Sequence, residues 1–361
     1  GQARANAAPF IARAQAALTD RAVSSRERSF VAAVSAWAAG DLAQAIDLHE
    51  QQAQEFPRDL ASIKLGQYHL FNAGNSPGML RLALHGLSAS ADVPQMHGMA
   101  AFAWEQCHLL QPAEAAARRA IAMLHREPWA HHALAHVLLT QGRLQEGFDF
   151  MQSASPTWTG LNSFMLTHNW WHLALFALEL GQTQEVLALY DQQVWGVACD
   201  YSQDQIGAVS LLAWLELAGV DVGPRWQDVA DHLAMRGIDL VLPFLDLQYL
   251  YGLARAGRPQ ADALLAAIEA HARLPETAQA IKCQCASTQP VVLEIELKRM
   301  FAGRQSIGPS PLDTFEIDKI PQEHRLTLQQ VETVAGKTPA GRQDHPFRTT
   351  LGHLDFCRDR V

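Results

Sequence analysis

Between residue 26 and about residue 275, apolar side chains recur at i, i+3, i+4 and i+7, the spacing of one face of an α-helix. Glycines or short polar turns interrupt these runs at regular intervals. The clearest unit is FVAAVSAWAAGDLAQAIDLHEQQAQEFP, residues 30–57. Gly40 and Asp41 end one helix there, Ala45 opens the packed face of a second, and Pro57 closes the unit. The same form recurs at 96–128, 129–151, 162–194, 205–237 and 243–272, and the last four turn at Gly142, Gly181, Gly219 and Gly257. A weaker copy lies at 60–87. No strand-like alternation precedes residue 285, so the pattern predicts about seven hairpins of two helices each.

Paired helices repeating at about 34 residues carry the punctuation of tetratricopeptide (TPR) repeats. Such a hairpin cannot bury its apolar face alone, so the units must stack. The expected fold is an all-α, TPR-like helix–turn–helix solenoid over 26–275. Residues 1–25 are read as a helix at its N-terminal edge. Residues 276–361 are read as a divergent, loop-rich tail. Lys is absent from 65 to 281, yet four of the five Lys fall between Lys282 and Lys337. The segment 301–330 mixes Pro, Gly and polar residues without helical period, and 291–300 reads equally as a short strand or a helix.

Composition narrows the function classes. With 48% hydrophobic and 18% charged residues the chain is not a disordered one. No apolar run approaches the ~20 residues of a membrane helix, so no membrane partner is expected. A formal charge of −9 argues against nucleic acid. The five cysteines are odd in number and scattered, Cys283 and Cys285 read as ordinary thiols, and no secretory leader is expected from the opening residues. The expected compartment is the cytoplasm.

Histidine and tryptophan are unevenly spread. Nine of the 16 His lie between His85 and His172, and five of the nine Trp between Trp104 and Trp171. In a TPR stack the first helix of each hairpin lines the groove. Registering the repeats on their turn glycines, with Leu110 standing in where the third repeat lacks one, gives three sets of groove positions. They are His97, Ala100 and Trp104; Trp129, His132 and His136; and His168, Trp171 and Leu175. The next repeats offer Ile206, Val209 and Ala213, then Phe244, Leu247 and Tyr251.

Three chemistries fit this patch. The first is a pocket for a small organic molecule, with Trp104, Trp129 and Trp171 stacking on the ligand. His132, His136 and His168 would then transfer protons near neutral pH, because no activated nucleophile stands out. His97, Glu105 and His172 join the candidate ligand-binding set, and Asp246 and Tyr251 would orient a His or close the site. The second is a protein-binding scaffold, the common use of TPR arrays; a patch rich in His and Trp with no Lys beside it fits peptide clamping less well. The third is a metal site. His132 with His136 and His168 with His172 are both i,i+4 pairs. In the assumed register, however, His172 turns partly toward the helix interface and Glu105 lies one residue past the groove. HHALAH lacks the Glu of a metalloprotease motif, and no haem attachment motif is present. The sequence therefore predicts no cofactor, with a divalent metal as the alternative. A homo-oligomer joined through the solenoid ends is a further possible partner.

HGMAAFAWEQ, EPWAHHALAHVLLTQGRLQEG, HNWWHLALFALELGQ and VSLLAWLELAGVDVGPRWQDVAD together resemble the tetratricopeptide repeat protein thirty-eight family. The resemblance runs from about 26 to 275. It implies a TPR-like solenoid and brings no assigned activity. It maps the family's motif onto Glu105, Trp129, His132, His136, His168, Trp171 and His172. The chain departs from the pattern at Gln248, where a His is expected, and beyond Ile281, where further helical repeats are expected.

Overall fold

The computed structural model describes residues 6–20, 22–238, 240 and 242–272. The expectations for 276–361, including the 291–300 segment and the Cys283–Cys285 pair, lie outside the described residues. Helix α1 (Ala8–Asp20) precedes seven helical hairpins, as the hydrophobic pattern requires. They are α2 (Ser25–Ala38) with α3 (Leu42–Glu55), α4 (Leu60–Asn72) with α5 (Ser76–Ala89), and α6 (Pro94–Gln106) with α7 (Leu110–Met123). Next come α8 (Pro128–Thr140) with α9 (Leu144–Ala154) and α10 (Ser163–Glu179) with α11 (Thr183–Leu189). The last are α12 (Ser202–Leu217) with α13 (Arg225–Ala234) and α14 (Pro243–Arg255) with α15 (Gln260–Ala272). No strand occurs among the described residues, and no described helix is long and apolar enough to cross a membrane.

The turns inside the hairpins share one mechanism. Six carry a glycine with positive φ: Gly40, Gly74, Gly142, Gly181, Gly219 and Gly257. In each, the next amide closes the helix with a bond to the carbonyl five residues back, as in Asn75 N–H to Leu70 O (2.8 Å) and Arg143 N–H to Leu138 O (2.9 Å). The third hairpin makes the same closure, Leu109 N–H to Trp104 O (2.9 Å), but its left-handed residue is His108, at φ 55°. His108, not Leu110, is thus the counterpart of the turn glycine. The groove positions assigned to α6 from sequence were displaced by two residues, and the corrected set is Gln95, Gly98 and Phe102.

Small residues set the helix spacing. Ala113, Ala116, Ala117 and Ala120 bury one face of α7. Gly147 of α9 meets α10 so closely that a Cβ there would lie 2.0 Å from the ring of Phe176. Beneath these contacts, Leu134, Leu138 and Met151 are fully buried, each adding about 1.5–3 kcal/mol of hydrophobic burial. The first helices pack in sequence, α6 on α8, α8 on α10, α10 on α12 and α12 on α14, so equivalent positions on neighbouring first helices form a continuous row.

Candidate functional site

Two helices bring the central histidines together. Helix α8 starts at Pro128, with Glu127 as its cap accepting from Ala130 N–H (2.5 Å). Helix α10 starts after Asn162, whose side chain accepts from Met165 N–H (2.9 Å). These starts fix the phase of both helices. His132 and His136 then point from α8 at His168 and His172 on α10. One nitrogen from each of the four rings lies within 4.8 Å of all the others. His136 Nε2 is 3.0 Å from His132 Nε2, and His168 Nε2 is 3.1 Å from the same atom.

Hydrogen bonding does not satisfy this cluster. A neutral imidazole has one N–H and one lone pair, so His132 Nε2 can pair with one neighbour, not two. His132 Nδ1 and both nitrogens of His172 are buried without a hydrogen-bond partner. Burial and the neighbouring His136, His168 and His172 hold His132 well below the usual imidazole range, and burial with His136 and His168 does the same to His172. Burial, then His136, pushes His168 down to about 3. These three rings are neutral near pH 7 and present lone pairs.

Glu105 of α6 completes the group, with Oε1 3.4 Å from His136 Nδ1. Burial alone would raise its pKa, but the charge and hydrogen bond of His136 and a bond from Gln106 Nε2 (2.7 Å) leave it below the usual value. Aromatic rings enclose the four imidazoles. Trp171 stacks on His168 at 5.4 Å and 11°, Phe164 stacks on the same ring at 5.1 Å and 23°, and Trp129 meets His132 edge-on at 5.7 Å.

All seven residues that the family resemblance singled out therefore meet in one place. His172, expected to turn partly toward a helix interface, is a full member. The remaining candidates are elsewhere. His97 bonds Ala91 O at 2.9 Å, and Trp104 is partly buried against the apolar cluster that runs from Ala53 to Ala103. Both follow from the displaced register of α6. Asp246 and Tyr251 are buried on α14, with Tyr251 against Trp226 at 5.7 Å, so they belong to the packing of the last hairpins.

Three residues at the site were not read from the sequence: Phe164, stacked on His168, Phe102 and Lys64. Phe102 lies 5.2 Å from His132 and 5.9 Å from His136, ring to ring. Lys64 of α4 places its ammonium 3.5 Å over the Trp129 ring, against the expectation that no Lys lies near the patch. Its pKa is lowered to about 8 by burial, opposed by Glu127, and its charge acts on His132. Lys64 stands ten residues before Gly74, as His132 stands ten before Gly142. That shared offset is the signal that would have found it. His131, by contrast, is structural: its Nε2 bonds His125 O (2.8 Å) and its Nδ1 accepts from Trp158 Nε1–H (3.1 Å).

The chain is an all-α, TPR-like helical-repeat protein with a four-histidine cluster between two consecutive first helices. No family model matches it. It is similar, at 11% identity and a TM-score of 0.31, to a chain of the Naa15/Naa10 complex bound to HypK-THB, over 79% of this chain and 43% of that one. This chain thus spans less than half the length of that chain. It is also similar to the TPR domain of P58(IPK), at 11% identity and a TM-score of 0.26, over 87% of this chain and all of that one.

Proposed function

We propose that this chain is a metal-dependent helical-repeat protein whose His132, His136, His168 and His172 hold one divalent late first-row ion, zinc above all. The carrying observation is the convergence of four imidazole nitrogens within 4.8 Å, with three of the cluster's buried nitrogens left without a hydrogen-bond partner. One ion answers the convergence, since it accepts one lone pair from each ring, and it gives one of the two His172 nitrogens a partner. Zinc takes His ligands at ~2.0–2.1 Å in tetrahedral sets. The Glu105–His136 contact supports the reading: a carboxylate on Nδ1 leaves Nε2 to the metal and raises its basicity. The spacing favours an ion over an organic molecule among the four rings, because nitrogens at 3.0 and 3.1 Å leave room for a single atom. Two surface depressions lie elsewhere, about 550 Å³ lined by Asn6, Ile11 and Ser35 among others, and about 420 Å³ lined by Gln152, Trp170 and Gln193 among others.

Such an ion supplies Lewis acidity and, with an open coordination position, an acidified water. His136 keeps 28% of its side chain exposed, whereas His132 and His172 are buried. Substrate chemistry by His132, His136 and His168 as free acid–base groups is the reading this proposal replaces. Membership of the tetratricopeptide repeat protein thirty-eight family is supported by the seven motif residues meeting at one site.

The test is elemental analysis with native mass spectrometry on protein purified without chelator, followed by zinc and cobalt titration. One ion per chain, lost in both His132→Ala and His172→Ala, is the expected result. Failure of the folded wild-type chain to bind zinc or cobalt at micromolar concentration would overturn it.

A second reading, a protein-docking scaffold, rests on the exposed aromatic pair Trp37 and Tyr68. Their rings are 6.0 Å apart, with 42% and 37% of each residue exposed. A docked protein that survives His132→Ala and is released by Trp37→Ala would support it.

A further inference from the structure

We infer that the four-histidine site takes a small monocarboxylate as its outside ligand, and that Lys64 is the residue that recognises it. This rests on the metal reading above and names the ligand class of that site.

Lys64 is the only lysine in residues 1–272, and its placement is unlike that of the paired arginines. Arg58 pairs with Asp92, Arg143 with Glu114 and Arg225 with Asp191. No carboxylate oxygen among the described residues comes within 4.0 Å of Lys64 Nζ; its ammonium is held over the Trp129 face instead. Glu127, the carboxylate whose charge reaches it, is committed to the start of α8 through Ala130 N–H. An indole face attracts the cation but leaves ammonium N–H donors free for a ligand.

On α6, Gly98 stands ten residues before His108, the offset that Lys64 occupies on α4 and His132 on α8. A Cβ on Gly98 would lie 3.0 Å from Glu127 Oε2, so this position stays bare beside the cap of α8. Lys64 thus reaches from α4 to Trp129, whose ring edge meets His132.

Charge counting then selects the ligand. Four neutral imidazoles add nothing to a divalent ion. Lys64 adds one positive charge, and Glu105 and Glu127 supply two negative ones. The assembly is left one negative charge short in a half-buried setting, where uncompensated charge is costly. A monocarboxylate supplies that charge. In this arrangement one of its oxygens adds to the four imidazoles on the ion, and the other accepts from the Lys64 ammonium.

The test uses the full chain loaded with cobalt, its metal content measured for every variant. Acetate and benzoate are titrated at constant ionic strength, with acetamide and benzamide as neutral counterparts. Binding is read from the cobalt visible band and by calorimetry. Both carboxylates are expected to bind and both amides to fail. Lys64→Met should keep one metal per chain and weaken acetate at least tenfold, while Lys64→Arg stays within threefold of wild type. Should Lys64→Met not fold, Lys64→Gln and the carboxylate–amide comparison in wild type carry the test. Equal acetate affinity in a fully loaded Lys64→Met or Lys64→Gln chain, or amides binding wild type as well as carboxylates, would overturn this inference and leave the metal reading standing. A wild-type chain that takes up no cobalt would overturn both.

Discussion

Glu105→Gln is the most informative single change at the cluster, because it removes a charge while keeping the shape. The carboxylate oxygen lies 3.4 Å from His136 Nδ1. An ion on the far nitrogen of that ring would be about 7 Å from it, given Zn–N bonds of ~2.0 Å. At an effective dielectric of about 20, a divalent charge and a carboxylate at that separation attract by about 5 kcal/mol. This is a ceiling, because Glu105 already holds His136 and accepts from Gln106 before any ion binds. Removing such a partner of a metal-bound His typically weakens the metal 10–100-fold, about 1.4–2.7 kcal/mol, and that is the expected loss. Gln keeps an acceptor for His136 Nδ1–H, so the ring stays oriented and the loss reports mainly on charge. The assay is competition for zinc against a chromophoric chelator at pH 7.5, with thermal melts of the metal-free proteins alongside. A zinc affinity within threefold of wild type, with unchanged melting temperature, would refute the role given to Glu105. A large drop in the metal-free melting temperature would instead make Glu105 a packing residue.

Three further outcomes follow from the same geometry. His131 is buried and neutral, its pKa lowered to about 4 by burial, against ~6.5 in an unfolded chain. The unfolded state therefore takes up the proton first as pH falls, and stability present above pH ~6.5 is lost on the way to pH ~4, by up to about 3 kcal/mol. Denaturant melts of chelator-treated wild type and His131→Gln should show a flatter acid limb in the variant, and equal slopes would count against the buried neutral ring. Gly147→Ala gains ~1 kcal/mol of helix propensity but drives a methyl to 2.0 Å from the fully buried Phe176. Net destabilisation of about 1–3 kcal/mol is expected in urea unfolding, and a stabilised variant would show that α9 and α10 separate freely. Asn162→Ala removes the acceptor of Met165 N–H at the start of α10, which should cost about 1 kcal/mol in the same assay; no change would mean that α10 is held by packing alone.

Much of the fold was legible because helical hairpins are written locally. The i, i+3, i+4, i+7 pattern and the turn glycines delimit seven hairpins without any long-range information. The register of α6 was misread for an equally local reason. His108 adopts the left-handed turn conformation that glycine supplies elsewhere, so the landmark was missing from the letters while its hydrogen bond, Leu109 N–H to Trp104 O, was still made. A displacement of two residues turned His97 and Trp104 toward the wrong face and hid Phe102.

By itself, then, the sequence determined the helices, their pairing and the two i,i+4 histidine pairs, since each depends on residues close along the chain. Tertiary structure alone decided that the two pairs face one another, that His172 joins them and that Glu105 reaches His136. It also decided that Lys64 lies over Trp129 from a helix 65 residues earlier in the chain. The physical reason is that a helix sets the angle between its own side chains, while the packing of α4, α6, α8 and α10 sets which of those angles converge. Small residues such as Gly98 and Gly147 govern how closely those helices approach, and their effect appears only once a neighbour is in place.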